Sequence, residues 1–451
     1  MRGPAATPVY IVALRNDEAT GDQGSSTQAD VPTVALLPWG DVFHDFLDGL
    51  GVTLEEFREE FTGSWMFGYV SALRAAGVKT LLVCPTTSVR EQYEAVHAPT
   101  GASLLLLPAG RTFAALRTHA LPNRLDGRRS PVALARASAA HVAPYIGTPP
   151  VGLARLLRRE RPVALLCQEY EDPRFDVCVG VGRLLRIPVY ATFQGADYQL
   201  SRLERPLRPL SLRACAGLVI GAQEEAERVE RRYGFPTERI ARIPNPIDPE
   251  AWRPLDRTQA RAELDLPESA DVVAWHGQVQ VQRKGLDVLL EAWRVLTEAR
   301  PGRDLRLLLV GTGEDAAELR RLVGATGAPG VRLLDEWVHE RDRIRAVLSA
   351  GDLYVFPSRH EGLPVAPLEA LACGLPVVGA DAQGVRDVVG ECGAVVPRED
   401  PRALADALGK LLDDDGLRLT LSRRARARVE ESFALGSVGE RLRALLVDGR
   451  V

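Results

Sequence analysis

Lysine is almost missing from this chain: of 56 basic residues only Lys79, Lys284 and Lys410 are lysine, an arginine bias that fits a GC-rich bacterial genome. The six cysteines (Cys84, Cys167, Cys178, Cys215, Cys373, Cys392) form no C-x-x-C pair and have no histidine at ligand spacing. Neither a zinc site nor a disulfide framework is indicated, and a reducing cytoplasm is the natural setting. No apolar run approaches the roughly 18 residues of a membrane span, and Pro8–Leu14 lacks the frame of a signal peptide. A charge excess of one sign is missing too. With 56 basic against 60 acidic residues the net charge is -4, so nothing draws the chain generally to nucleic acid or anionic membrane. Any anionic ligand must be held locally.

What is present suits a globular protein of two or three domains: 451 residues, 46% apolar and 26% charged. Residues 1–31, rich in Gly, Ser, Thr, Asp and Gln, read as a mobile tail, although the YIVAL within them could form an edge strand. From Val34 the chain alternates short apolar runs (VALL, KTLLVC, LLLL, VALLC, VYATF) with amphipathic ones such as FGYVSALRAAG. This is the rhythm of a parallel sheet covered by helices on both faces. The proline-rich IPNPIDPEAWRP, Ile243–Pro254, reads as a connection between domains, and a second series follows it, from VVAWHG to PVVGAD. The fold expectation is α/β: two doubly wound Rossmann-like domains, 32–242 and 243–432, facing a cleft. The amphipathic segment in 433–451 is free to return to the first domain. Ligands belong beyond the carboxyl ends of the strands.

The stretch Ala350–Asp381 carries the chemistry. LYVF reads as a buried strand, SRHEG as a polar loop at its end, and LEALA as a helix closed by Gly374. Pro364 is expected in the first helical turn, where a missing N–H costs nothing. The amides from Gly362 through Leu363 to Val365 would then face the cleft as a phosphate cradle. Glu361 precedes the helix and Glu369 lies about 7.5 Å further along its axis, a span close to that of a nucleoside diphosphate. One carboxylate could accept from ribose hydroxyls, the other from a sugar or a developing positive charge.

EGLPVAPLEALACGLPVV resembles the E-x7-E signature of the retaining, nucleotide-sugar-dependent glycosyltransferases of family four, which have the GT-B fold. Similar echoes are the IPNPIDPEAWRP linker, HGQVQVQRKGLDVLLEAW, LLLVGTGED and VGRLLRIPVYATFQGAD. The resemblance covers about residues 150 to 450. It implies that Lys284 meets the donor diphosphate, Glu361 the transferred sugar and Glu369 the ribose, with Val338 near the base. It also implies no cofactor and no metal, since a lysine beside free amides can neutralise the leaving diphosphate. The partners expected are a nucleotide-sugar donor and a glycan, lipid or small-molecule acceptor.

Several positions depart from the family pattern. Its arginine is Gln278 here, with Arg283 the candidate replacement, and its histidines are Gln168 or Glu169 and Gln194. Glu169 and Asp197 are candidate substitutes as sugar or acceptor contacts. The glycine-rich first loop is replaced by Pro38–Tyr69, whose 32 residues hold 8 of the 26 aromatics. Within it Thr53 and Glu56 form a capping box for a short helix. Its rings either stack on an acceptor or build a local core, with Trp65 and His44 candidate acceptor or sugar contacts, and Gly63 is the candidate for a close approach to phosphate. Asp413–Asp415, a formal Asp-x-Asp, reads as a solvated helix end. Besides transfer, the sequence admits hydrolysis or epimerisation of a nucleotide-sugar, or a non-catalytic binding subunit.

Overall fold

Val34 and Leu36 pack on one side of their strand, Ala35 and Leu37 on the other, and all four are fully buried. A strand with no wet face belongs in the middle of a sheet covered on both sides. The computed structural model describes residues 31–47, 51–110, 112, 113, 115, 142–195, 203–336, 338 and 340–450. The tail through residue 30 lies outside them.

The first sheet is built from β1 (Thr33–Leu37), β2 (Lys79–Thr86), β3 (Tyr93–His97), β4 (Ala102–Pro108), β5 (Ala164–Gln168), β6 (Val189–Thr192), β7 (Gly217–Val219) and β8 (Ile240–Ala241), in the order β3-β4-β2-β1-β5-β6-β7-β8. Its register sets Leu36 opposite both Leu82 and Leu166. Neighbours pair in parallel except β3, which runs antiparallel to β4. The sequence rhythm implies a wholly parallel sheet. Between His97 and Ala102, however, there is room only for a turn, and a parallel return needs about a dozen residues. The second sheet is wholly parallel: β9 (Asp271–His276), β10 (Leu305–Val310), β11 (Val331–Leu334), β12 (Leu353–Phe356), β13 (Val377–Ala380) and β14 (Gly393–Val396), in the order β11-β10-β9-β12-β13-β14.

The chain crosses between the domains twice, side by side. On the way out Ile247 donates its amide to Phe433 O at 2.8 Å, and on the way back Ala434 leads into the helix Leu435–Leu446. Val438, Leu442, Leu445 and Leu446 of that helix complete the core on one face of the first sheet. The acidic run behaves as a helix end: Asp413 pairs with Arg300 and Arg303, and Asp414 caps the helix Asp415–Ser432.

The aromatic insert forms a local core. Thr53 and Glu56 make both hydrogen bonds of the capping box, and the helix Leu54–Glu59 that follows turns Phe57 inward. The Phe43, Phe67 and Phe61 rings lie 5.1, 5.7 and 5.8 Å from it. The buried His97 ring stacks on Phe67 at 3.9 Å. Its Nε2–H donates to Phe61 O at 2.9 Å, so Nδ1 accepts from the Thr100 hydroxyl at 2.7 Å. Phe46 and Trp65 have side chains outside the described parts.

Burial lowers the His97 pKa. The unfolded chain therefore binds that proton first, and His97 contributes stability above about pH 6.5 that is lost as the pH falls below it. The melting midpoint of the wild type should fall between pH 7 and pH 5, and His97→Gln should show a shallower dependence. Equal slopes would place the acid-labile group elsewhere.

Candidate active site

The first sheet reverses its strand order between β1 and β5, the second between β9 and β12. Loops leaving neighbouring strands at such a point turn apart and open a crevice. In the second domain β9 ends at His276, and the chain continues through the short helix Val281–Lys284 to Gly285. Gly285 has φ 65°, and a Cβ there would lie 2.1 Å from Pro357 O. Glycine thus lets this turn lie directly against the end of β12, bringing Lys284 beside the following loop.

Lys284 Nζ donates to Glu361 Oε1 at 2.7 Å, with Glu361 buried and Lys284 half-buried. Arg359 stitches the loop in place. Its amide donates to Arg283 O at 2.9 Å, and its guanidinium grips both oxygens of Asp287 at 2.8 Å. Burial acts to raise the Asp287 pKa, but Arg359 outweighs it and holds the carboxyl below the usual carboxylate range.

Past Glu361, the amides of Gly362, Leu363 and Val365 donate to no other described residue. The helix begins at Ala366, not around Pro364: it is Pro367 that occupies the first turn. Pro364 instead stays in the loop: Pro367 has no N–H to give Leu363 O, which accepts from Asn245 Nδ2 at 2.7 Å instead. Inside the helix, the buried Glu369 accepts from His276 Nε2 at 2.8 Å.

Two cavities flank this scaffold. Lys284, Glu361, Pro364, Gln278 and Arg283 line one of about 210 Å³. Glu369, Val338 and Gly63 line a second of about 570 Å³, and His276 and Gly277 border both. Gly63 makes its close approach to the Phe61 ring, 2.6 Å from where its Cβ would stand.

The first domain reaches the site through β5 and β6. Glu169 is buried at φ 114°, a strained backbone for a residue with a side chain. Its two carboxylate oxygens accept from the amides of Glu171 (3.0 Å) and Gln194 (2.9 Å), which positions the loop ahead of Gly195. Gly195 then meets Gly362 backbone to backbone: a Cβ on either would come within 2.6 Å of the other's amide nitrogen. His360 and Arg283 donate to Gly195 O at 3.2 and 3.5 Å.

The sequence candidates therefore divide. Glu361, Lys284, Arg283, Gln278, Gly362, Leu363, Pro364, Glu369 and Val338 gather at this end of the second sheet. Glu169 holds the backbone, each of its oxygens accepting from an amide. His44 is exposed and borders neither cavity. Asp197 lies outside the described residues, as does the Trp65 side chain. Sequence reasoning missed His276, whose signal was a polar residue ending an otherwise apolar strand. Among the described residues no group of three His, Cys, Asp or Glu could hold a metal ion, and no helix is long and apolar enough to cross a membrane.

Residues 65–251 match the family model for Glycosyltransferase Family 4, and residues 270–414 match that for Glycosyl transferases group 1. D-inositol 3-phosphate glycosyltransferase of Xylanimonas cellulosilytica is 37% identical over 226 residues, covering 48% of this chain and 52% of that protein. Alpha-D-kanosaminyltransferase of Streptomyces kanamyceticus is 27% identical, covering 58% and 71%. The chain spans about half the length of most of the curated relatives it matches. Sucrose-phosphate synthase of Thermosynechococcus elongatus superposes with a TM-score of 0.64 over 92% of this chain and 98% of its own, at 21% identity. That likeness establishes the GT-B architecture.

Gly362→Val should force Gly195 away. Hydrogen exchange at Gln194 and Gly195 is expected to rise while the peptides of the second sheet stay protected. Unchanged exchange at Gln194 would show that the two backbones are not in firm contact.

Proposed function

We propose that this chain, which belongs to the family 4 glycosyltransferases, moves a sugar from a nucleoside-diphosphate sugar to a hydroxyl of an acceptor held against the first domain. The anomeric configuration is retained and no metal takes part. The observation that carries this reading is the Lys284–Glu361 pair, at 2.7 Å, on the smaller cavity beside the amides of Gly362, Leu363 and Val365.

Two of the three requirements for such a transfer lie in that arrangement. The departing diphosphate needs its growing charge neutralised, and Lys284 Nζ with the loop amides offers one full charge and several oriented N–H groups. The sugar needs its hydroxyls held while the anomeric carbon becomes cationic, and the carboxylate of Glu361 suits both tasks. The third requirement is a seat for the nucleoside, and the larger cavity supplies it, with Glu369 at its wall. An acceptor hydroxyl arriving on the face that the diphosphate leaves can give its proton to the departing phosphate oxygen. A side-chain base is then unnecessary, which suits a first domain that carries Gln168 and Gln194 where the family has histidines. All six cysteines are buried and unbridged, which fits a cytoplasmic setting.

Lys284→Ala and Glu361→Ala should each lower transfer at least about a hundredfold, as loss of a preorganised charge does, while leaving the melting midpoint close to wild type. Wild-type turnover in either variant, with a confirmed donor, would falsify this site. A chelator should leave the rate unchanged; loss of activity that magnesium or manganese restores would rule out the metal-free reaction. Product analysis with and without acceptor separates transfer from hydrolysis or epimerisation.

A further inference from the structure

The helix Glu204–Ala214 is built inside out. Its buried residues are Glu204, Arg208, Ser211 and Leu212. The Arg208 guanidinium donates to Glu171 O at 3.0 Å and to Asp176 at 3.1 Å, over the face of the Phe175 ring. On the solvent side stand Leu203, at the N-cap, and Leu207 and Leu210, exposed by 39, 39 and 58%. Steps of four and three residues place them in one stripe. A surface helix ordinarily turns such a stripe to the core.

The helices Pro150–Glu160 and Pro173–Leu185 lie beside this one on the same face of the first sheet, sharing a core that includes Leu157, Phe175 and Leu212. The free charge of that face has one sign. Arg155, Arg158 and Arg161 come from the first helix and its cap, Arg183 and Arg186 from the second, and Arg205 and Arg213 from the third. All are exposed and form no ion pair with a described residue. The acids on these helices are already engaged: Glu160 by Arg159 at 2.6 Å, Asp176 and Glu204 by Arg208 at 3.1 and 3.8 Å. Leu184, 70% exposed, adds a further apolar side chain. The next helix, Gln223–Tyr233, presents Glu224, Glu227 and Glu230 to solvent and ends the basic region. Residues 111–141, which lead toward Pro150–Glu160, hold six arginines and a single acid, Asp126, so they bring no complementary charge to this face.

We propose that this face docks on an anionic lipid bilayer. The arginines lie at the level of the lipid phosphates, where a planar guanidinium meets a phosphodiester through paired hydrogen bonds. Leu203, Leu207 and Leu210 enter the acyl boundary, with the helix axis in the plane of the interface. A nucleic acid would serve the arginines and leave the leucine stripe in water. The net charge of -4 leaves the rest of the chain without such an attraction, so contact with the membrane is oriented.

The test is flotation of the full chain with vesicles of phosphatidylcholine alone and of phosphatidylcholine mixed with phosphatidylglycerol. Wild type should float with the mixed vesicles, stay behind with the neutral ones, and be released as salt is raised. Two double variants at exposed positions, expected to keep the wild-type melting midpoint, separate the contributions. Arg205→Ser with Arg213→Ser should weaken binding about tenfold or more. Leu207→Ser with Leu210→Ser should weaken it about tenfold with every arginine in place. On the wild type itself, hydrogen exchange of 203–213 should slow on mixed vesicles while that of 223–233 does not change. Wild type that floats with neither vesicle, or exchange at 203–213 indifferent to mixed vesicles, overturns the proposal. So does a folded leucine variant that binds like wild type, since the face would then be a site for polyanions such as a DNA duplex.

Discussion

Asn245, in the linker between the domains, is the side chain on which the arrangement of the site depends. Its oxygen accepts from Tyr69 Oη at 3.0 Å and from Gln194 Nε2 at 3.4 Å, both in the first domain. Its nitrogen donates to Leu363 O, in the loop that carries Glu361. Tyr69 and Asn245 are buried, and burial raises the Tyr69 pKa, so the phenol stays a donor. Buried polar atoms have no water to turn to, so the three bonds stand or fall together. They set the height at which the first domain meets the loop and fix the loop's carbonyl direction.

The same loop is held from its other side by charge. Arg359 ties it to the helix that follows Gly285, Lys284 ties Glu361 to the end of the preceding helix, and Arg283 and His360 reach across to Gly195. Among the described residues, the amides of Gly362, Leu363 and Val365 have no acceptor. A short piece of backbone is thereby exposed to a ligand while its flanks are immobilised, and donors that do not reorganise stabilise developing charge best.

Much of this was legible in the sequence, for definite reasons. The apolar runs VALL, LLLL and VALLC are strands because parallel sheets bury both faces, so β1, β4 and β5 read as continuous hydrophobic segments. Thr53 and Glu56 announced their helix because a capping box is a local motif. Glu361 and Glu369 were visible as a spacing and Lys284 through the family resemblance, and the spacing survives folding because one loop and one helix carry the two carboxylates. What stayed hidden depends on distant partners. Asn245 read as a boundary residue, and nothing local reveals partners 176 and 118 positions away. Pro364 and Pro367 both suit a first helical turn, but Pro367 has no N–H for a helix that began at Pro364, so the helix starts at Ala366. His276 read as the end of a strand, since its role exists only once β9 stands beside the Glu369 helix. The antiparallel β3 was missed because its half-buried alternation is weak beside the runs on either side.

The returning helix Leu435–Leu446 has a consequence for how the molecule is made. Its leucines belong to the core of the domain synthesised first, and Gly439 sits so close to the helix Ser64–Ala75 that a Cβ would stand 2.1 Å from Ala72 O. A ribosome that has finished the amino-terminal half has therefore not finished that half's interior. The nascent domain waits with an oily face uncovered until the whole second domain and then Leu446 have left the exit tunnel, so the two halves mature together rather than one after the other.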